Sequence, residues 1–232
     1  MLITFQEHKS LHLLPIDNGV FAAQQTRIPL LAKDIEPMIK RRVPVILPVG
    51  DNQLPQALLK ASTTKEPLAD YTPTLWHNFP FSLATAVVGV NAQGEPIQTN
   101  VLWAEKEATH WSSSAGHRLF ELSGEPSEFL RRTLKQLHEQ QAAIEETHAL
   151  LNLLKEHGIL AKAYLHDLVE SRPVYRVLVD KLASLGASDD YLVMRAYHLA
   201  TLIADSQKDR LELHDEPAID TFKPRWMRTY SN

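Results

Sequence analysis

With 232 residues, 44% of them hydrophobic, the chain can bury a core without staples, as one large domain or two small ones. Its 24 basic and 28 acidic residues leave a formal net charge of -4, which argues against a general nucleic-acid binder. The absence of cysteine excludes disulfides, thiolate nucleophiles, zinc–thiolate sites and iron–sulfur clusters.

The opening MLITFQEHKSLHLLPI has no basic region ahead of a long apolar run, so no signal peptide is expected and the first residues should be mobile. Gly19–Leu31 reads as β-type segments ending in a proline. Ala32–Arg42 is a short helix in which Ile35, Met38 and Ile39 share a face, with Asp34 as its cap and Pro37 in its first turn. Lys40–Arg42 is a basic run at the exposed end of that helix, where cations suit the dipole. Val43–Val49 is a strand closed by the turn signal GDN, and a second short run follows Pro55. Pro73 and Pro80 are expected to hold YTPTLWHNFPF extended.

The clearest hairpin follows, from strand Ser82–Val90 through the turn NAQGEP to a strand near Ile97–Trp103. Thr109–Leu122 reads as a loop leading into a short strand. Ser123 and Glu125, ahead of Pro126, open a long helical pattern that runs to His157 and stops at Gly158. Leu130, Leu134, Leu137, Ile144, Leu151 and Leu154 carry its stripe, as one helix or as two with a break around EQQAA. Ser171–Gly186 reads as a strand and a short helix, and Asp189–Leu213 as a second strong helix with Leu192, Ala196, Leu199 and Ile203 on its core face. The tail from Asp215 is polar and expected to be irregular, with Phe222 and Trp226 as candidate anchors. The fold class is α+β, with antiparallel hairpins in a β-rich N-terminal half and a mainly helical C-terminal half. The division falls at residues 1–123 and 124–232, with a single integrated domain over 11–213 as the alternative.

Chemical motifs are scarce. Glu145 and His148 have the i, i+3 spacing of di-iron bundles, but no second copy occurs, so a polar interruption of a packed seam is the stronger reading. His8 and His12 are four apart without the glutamate of a zinc-protease helix. His110 and His117 flank WSSSAG, more often a hydrogen-bonding turn than a metal site. The paired acids Glu145–Glu146 and Asp189–Asp190 are expected as solvated faces or caps. Neither Gly-x-Ser-x-Gly nor a glycine-rich phosphate loop is present. The candidate binding residues are Trp76, His77, Asn78 and Phe81, which set aromatic and polar groups side by side at the mouth of a cleft, and His198. Core packing is the stronger reading for the aromatics, and a hydrogen bond that docks the helical half is the stronger one for His198.

Several blocks in order resemble SapC-like proteins, over roughly Leu11 to Leu211. The first holds Phe21-Ala22, Pro29-Leu30, Asp34-Ile35 and the extended Pro44–Leu47. Tyr71, Pro73, Pro80, Phe81 and Leu83 match a second, and LLKEHGIL, Asp180-Lys181 and AYHLATL match later parts. His77 and Asn78 stand where the family pattern has arginine, and Asp34 where it usually has glutamate. The resemblance implies a shared fold and an accessory role tied by name to surface-layer proteins. It implies no reaction and no cofactor. The permease label sometimes given to the family does not fit a chain without a membrane span.

Two functional readings follow. The first is a soluble, cytoplasmic binding or accessory protein acting on a polypeptide partner, without nucleic acid and without a membrane span. The second is an enzyme or small-ligand or metal-binding protein whose site is assembled from distant histidines and carboxylates. The sequence assigns neither a cofactor nor an oligomeric state.

Overall fold

Ser127 opens the longest element: its hydroxyl accepts from the Leu130 N–H at 3.2 Å, as an N-cap does. The helix Glu128–Glu156 then runs unbroken through EQQAA, because glutamine, glutamate and alanine are good helix formers. It ends where the sequence indicates. Gly158 adopts φ +63°, its N–H bonds Lys155 O at 2.9 Å, and the Ile159 N–H bonds Leu154 O at 3.0 Å, the paired bonds of a Schellman motif.

The computed structural model describes residues 1–62, 66, 68–166 and 171–215. The expected tail beyond Asp215, with Phe222 and Trp226, lies outside the described residues. The α+β class holds, with antiparallel sheets in the N-terminal half and the long helix plus further helices in the C-terminal half. The chain folds as two compact units, each drawn from separate stretches.

The first unit holds residues 1–26 and 68–146. His12–Leu13 lies between Trp111–Ser112 and His117–Arg118 in a small antiparallel sheet. Phe81–Val90 and Pro96–Ala104 form a two-stranded ribbon with a bulge between Val87 and Gly89. Ile3, Leu13, Phe81, Leu119, Leu130 and Leu137 belong to one buried cluster. Gly116, at φ +97°, passes so close to the central strand that a Cβ there would lie 2.2 Å from Leu13 O.

The second unit holds the described residues of 27–67 and 147–232. Its antiparallel sheet has six strands in the order Leu213–His214, Leu160–His166, Ser171–Val177, Val45–Pro48, Gln56–Leu58, Arg27–Pro29. Helix Tyr191–Arg210 is capped by Asp190, whose carboxylate accepts from the N–H groups of Leu192 and Val193. Two buried polar residues tie it to the sheet. Ser206 accepts from the Val45 N–H at 3.1 Å. Gln207 accepts from the Val177 N–H at 3.0 Å and donates to Tyr175 O at 2.8 Å. The helix also packs against Ala32–Lys40, whose Ala32 N–H donates to the buried Thr147 hydroxyl at 3.0 Å.

Several local expectations are corrected. Asn18–Ala23 is helical, because the Asp17 carboxylate takes the Gly19 N–H at 2.8 Å and caps it, so within Gly19–Leu31 the strand is confined to Arg27–Pro29. The next helix begins at Ala32, so Asp34 is not its cap. It lies within the first turn and accepts from the Leu31 N–H at 3.1 Å, and Pro37 lies past that turn at the cost of one helical bond. Residues 73–81 are folded, not extended: Thr74–Trp76 is a 3-10 turn, and Phe79 N and Phe81 N bond Trp76 O and Asn78 O. The first residues are paired, since Leu2 bridges Trp103 and Ile3 N–H bonds Leu102 O at 3.0 Å. Ala196, Leu199 and Ile203 are buried, whereas Leu192 is exposed in the first turn of its helix.

Candidate functional site

The first unit contains a cavity of about 200 Å³, and three of the sequence-nominated residues, His77, Asn78 and Phe81, line it. The helix Asn18–Ala23, the 3-10 turn Thr74–Trp76 and the loop before Trp111 supply the side chains that organise it. Asn18 donates from Nδ2 to His77 O and to Phe79 O, both at 3.1 Å. Its Oδ1 lies 2.9 Å from His110 Nε2. His77 is exposed and its Nε2 donates to Thr72 O at 2.6 Å. Asn78 is buried.

His110 is 1% exposed, and Phe21 and Phe79 pack on its ring at centroid distances of 4.7 and 5.2 Å. Burial pushes its pKa below the usual imidazole value, because the charged ring would lose its hydration. Trp76 packs on Phe79 at 5.3 Å and does not line the cavity. His117 lines it while stacking on Phe129 at 4.7 Å with an interplanar angle of 6°. In the sequence, His110 and His117 read as parts of a hydrogen-bonding turn. Their separation in sequence from Asn18 and Phe129 left no signal for what they do here.

His198 belongs to the second unit. It is exposed and lines a groove of about 350 Å³ with Glu36, Leu150, Met194, Arg195 and Leu199. Among the described residues it makes no hydrogen bond, so the expected docking bond is absent. The helix turns its ring outward, and the docking bonds come from Ser206 and Gln207 instead. Glu36 faces it electrostatically, and the carboxyl of Glu36 is held low chiefly by its hydrogen bond to Lys40.

Among the described residues, no group of three or more histidine, aspartate or glutamate side chains is placed to hold a metal ion. Among the described residues, no carboxylate, lysine or arginine lines the cavity around His110. Its polar lining is Asn18, Asn78, Thr133, Gln136 and the histidines His77, His110 and His117, set against aromatic walls. None of the described helices is long and apolar enough to cross a membrane.

In comparison with known protein families, the SapC family model matches the chain over residues 3–203. The chain belongs to the SapC family. The match reaches into both compact units of this SapC protein and includes every nominated site residue. No curated protein and no solved structure matches the chain.

Proposed function

We propose that this SapC protein is a cytoplasmic binding protein that captures an extended segment of a polypeptide partner on its two-stranded ribbon. The observation that carries the reading is the state of that ribbon. Past Val87 both faces are open to solvent, and the exposed side chains include Val87 at 62%, Val90 at 66% and Ile97 at 46%. Apolar residues gathered on an exposed surface mark interaction sites, and an unsupported two-stranded hairpin is marginal in water.

The occupant is a strand, because the ribbon already accepts one. At its base Met1–Ile3 lies along the second strand, with Ile3 N–H bonding Leu102 O and the Ala104 N–H bonding Met1 O at 2.8 Å. From Pro96 to Val101 the same strand has no ladder partner but Phe81–Val90 among the described residues. An incoming segment with alternating apolar residues extends that pairing by strand addition.

Selection of displayed random peptides on the full chain tests this. Alternating apolar, β-branched peptides should be enriched, and Val87→Lys with Ile97→Lys should weaken their binding at least tenfold while leaving thermal stability unchanged. Peptides that bind the double variant equally well would overturn the reading. So would a dimer in sedimentation that the same double variant dissolves, since a second copy would then cover the ribbon.

A further inference from the structure

Along helix Tyr191–Arg210, Tyr191, Met194, Arg195, His198 and Leu202 recur at helical spacing and so share one face. Together with Leu150 and the start of helix Ala32–Lys40, that face lines a groove of about 350 Å³ within the second unit. The buried part of the lining is apolar, with Leu150 at 1% and Leu199 at 4% exposure. Tyr191 and Met194 line it too, yet they stand 70% and 47% exposed. Large apolar side chains gathered at an open groove mark an interaction site.

The charge of the groove has a sign. Lys33 and Arg195 are in the lining. Lys33 is exposed and has no ion-pair partner among the described residues. Arg195 lies over the Tyr191 ring at 5.7 Å. Glu36 is the only carboxylate in the lining among the described residues, and Lys40 engages it at 2.7 Å. Cations therefore outnumber the carboxylate around an apolar floor.

We propose that this groove binds a small amphipathic carboxylate, with an unbranched apolar body against Leu150, Met194, Leu199 and Leu202 and its anionic end toward Lys33 and Arg195. The volume decides for a small molecule: about 350 Å³ falls at the low end of the ~300–1,000 Å³ of ligand pockets. It holds about twelve non-hydrogen atoms at the ~30 Å³ that a water molecule occupies, the size of a ten-carbon acid. The floor decides for an apolar body, and the lysine and arginine decide for an anion over a cation. The inference is independent of the ribbon.

Decanoate and decylammonium separate the possibilities, because they share the apolar body and differ in the sign of the charge. The test uses the full chain with ¹³C-labelled methionine methyl groups, titrated in the calorimeter and followed by NMR. Decanoate should bind and move the Met194 methyl resonance, and decylammonium should bind at least tenfold more weakly. Lys33→Glu, on an exposed position of its helix, should weaken decanoate at least tenfold and leave thermal stability unchanged. Equal binding of the two probes, or an unchanged affinity in the variant, would overturn the proposal. Binding that leaves Met194 unmoved would also overturn it, since the probe would then sit elsewhere. So would failure of decanoate to bind, the outcome expected where a second copy or residues 216–232 of the same chain cover the groove.

Discussion

Asn18 decides which nitrogen of His110 carries the proton. The two residues are far apart in sequence, yet Asn18 Oδ1 lies 2.9 Å from His110 Nε2 while its Nδ2 is committed to the carbonyls of His77 and Phe79. The same arrangement makes protonation of His110 unfavourable, because the ring is 1% exposed against Phe21 and Phe79.

The pH dependence follows with a definite sign. Burial lowers the folded-state pKa of His110 below its ordinary value near 6.5. Between the two values the unfolded chain binds more protons, so this contribution is complete above about pH 6.5 and is lost as pH falls through the folded-state pKa. Unfolding in denaturant between pH 7.5 and 5 should show stability falling with acid. His110→Gln should flatten part of that slope. An unchanged slope in the variant would place the acid sensitivity elsewhere.

Gly116→Ala should destabilise the first unit. The φ of +97° is unfavourable for alanine, and the new methyl would meet Leu13 O at 2.2 Å, inside any van der Waals contact. Strain and backbone displacement together should cost about 2 kcal/mol or more. Gly94, at φ +82° in the ribbon turn with open space around it, is the control, and Gly94→Ala should cost about 1 kcal/mol. Equal losses at the two positions would show that the close approach to Leu13 contributes nothing.

Gln207→Leu should loosen the second unit by about 1–3 kcal/mol, the cost of leaving buried backbone groups unpaired. The side chain is 4% exposed and serves both the Val177 N–H and the Tyr175 carbonyl. Amide exchange at Val177 should rise well before global unfolding. His198→Gln, on the exposed side of the same helix, should change stability by less than about 0.5 kcal/mol. A larger loss at His198 than at Gln207 would reverse the account of how this helix docks.

The sequence by itself determined the elements whose signals are local. Gly158 ended the long helix, because a left-handed C′ residue is a property of a few neighbouring backbones. The ribbon was legible because NAQGEP separates two strand-forming runs of matching length. The family resemblance was legible in ordered blocks, and the match over residues 3–203 agrees with it. The tertiary structure decided the rest. Strand Leu160–His166 has no local signal of its own, because its apolar residues follow directly on a helical pattern, and it is defined by the strands that pair with it. Asp17 turned Asn18–Ala23 into a helix against the β preference of Val20 and Phe21, and that helix carries Asn18 to His110. No spacing in the sequence links residues 18, 77 and 110. A hydrogen-bonded site whose members are joined only through space leaves no periodicity to read, so His77 and Asn78 could be nominated from composition while Asn18 and His110 could not.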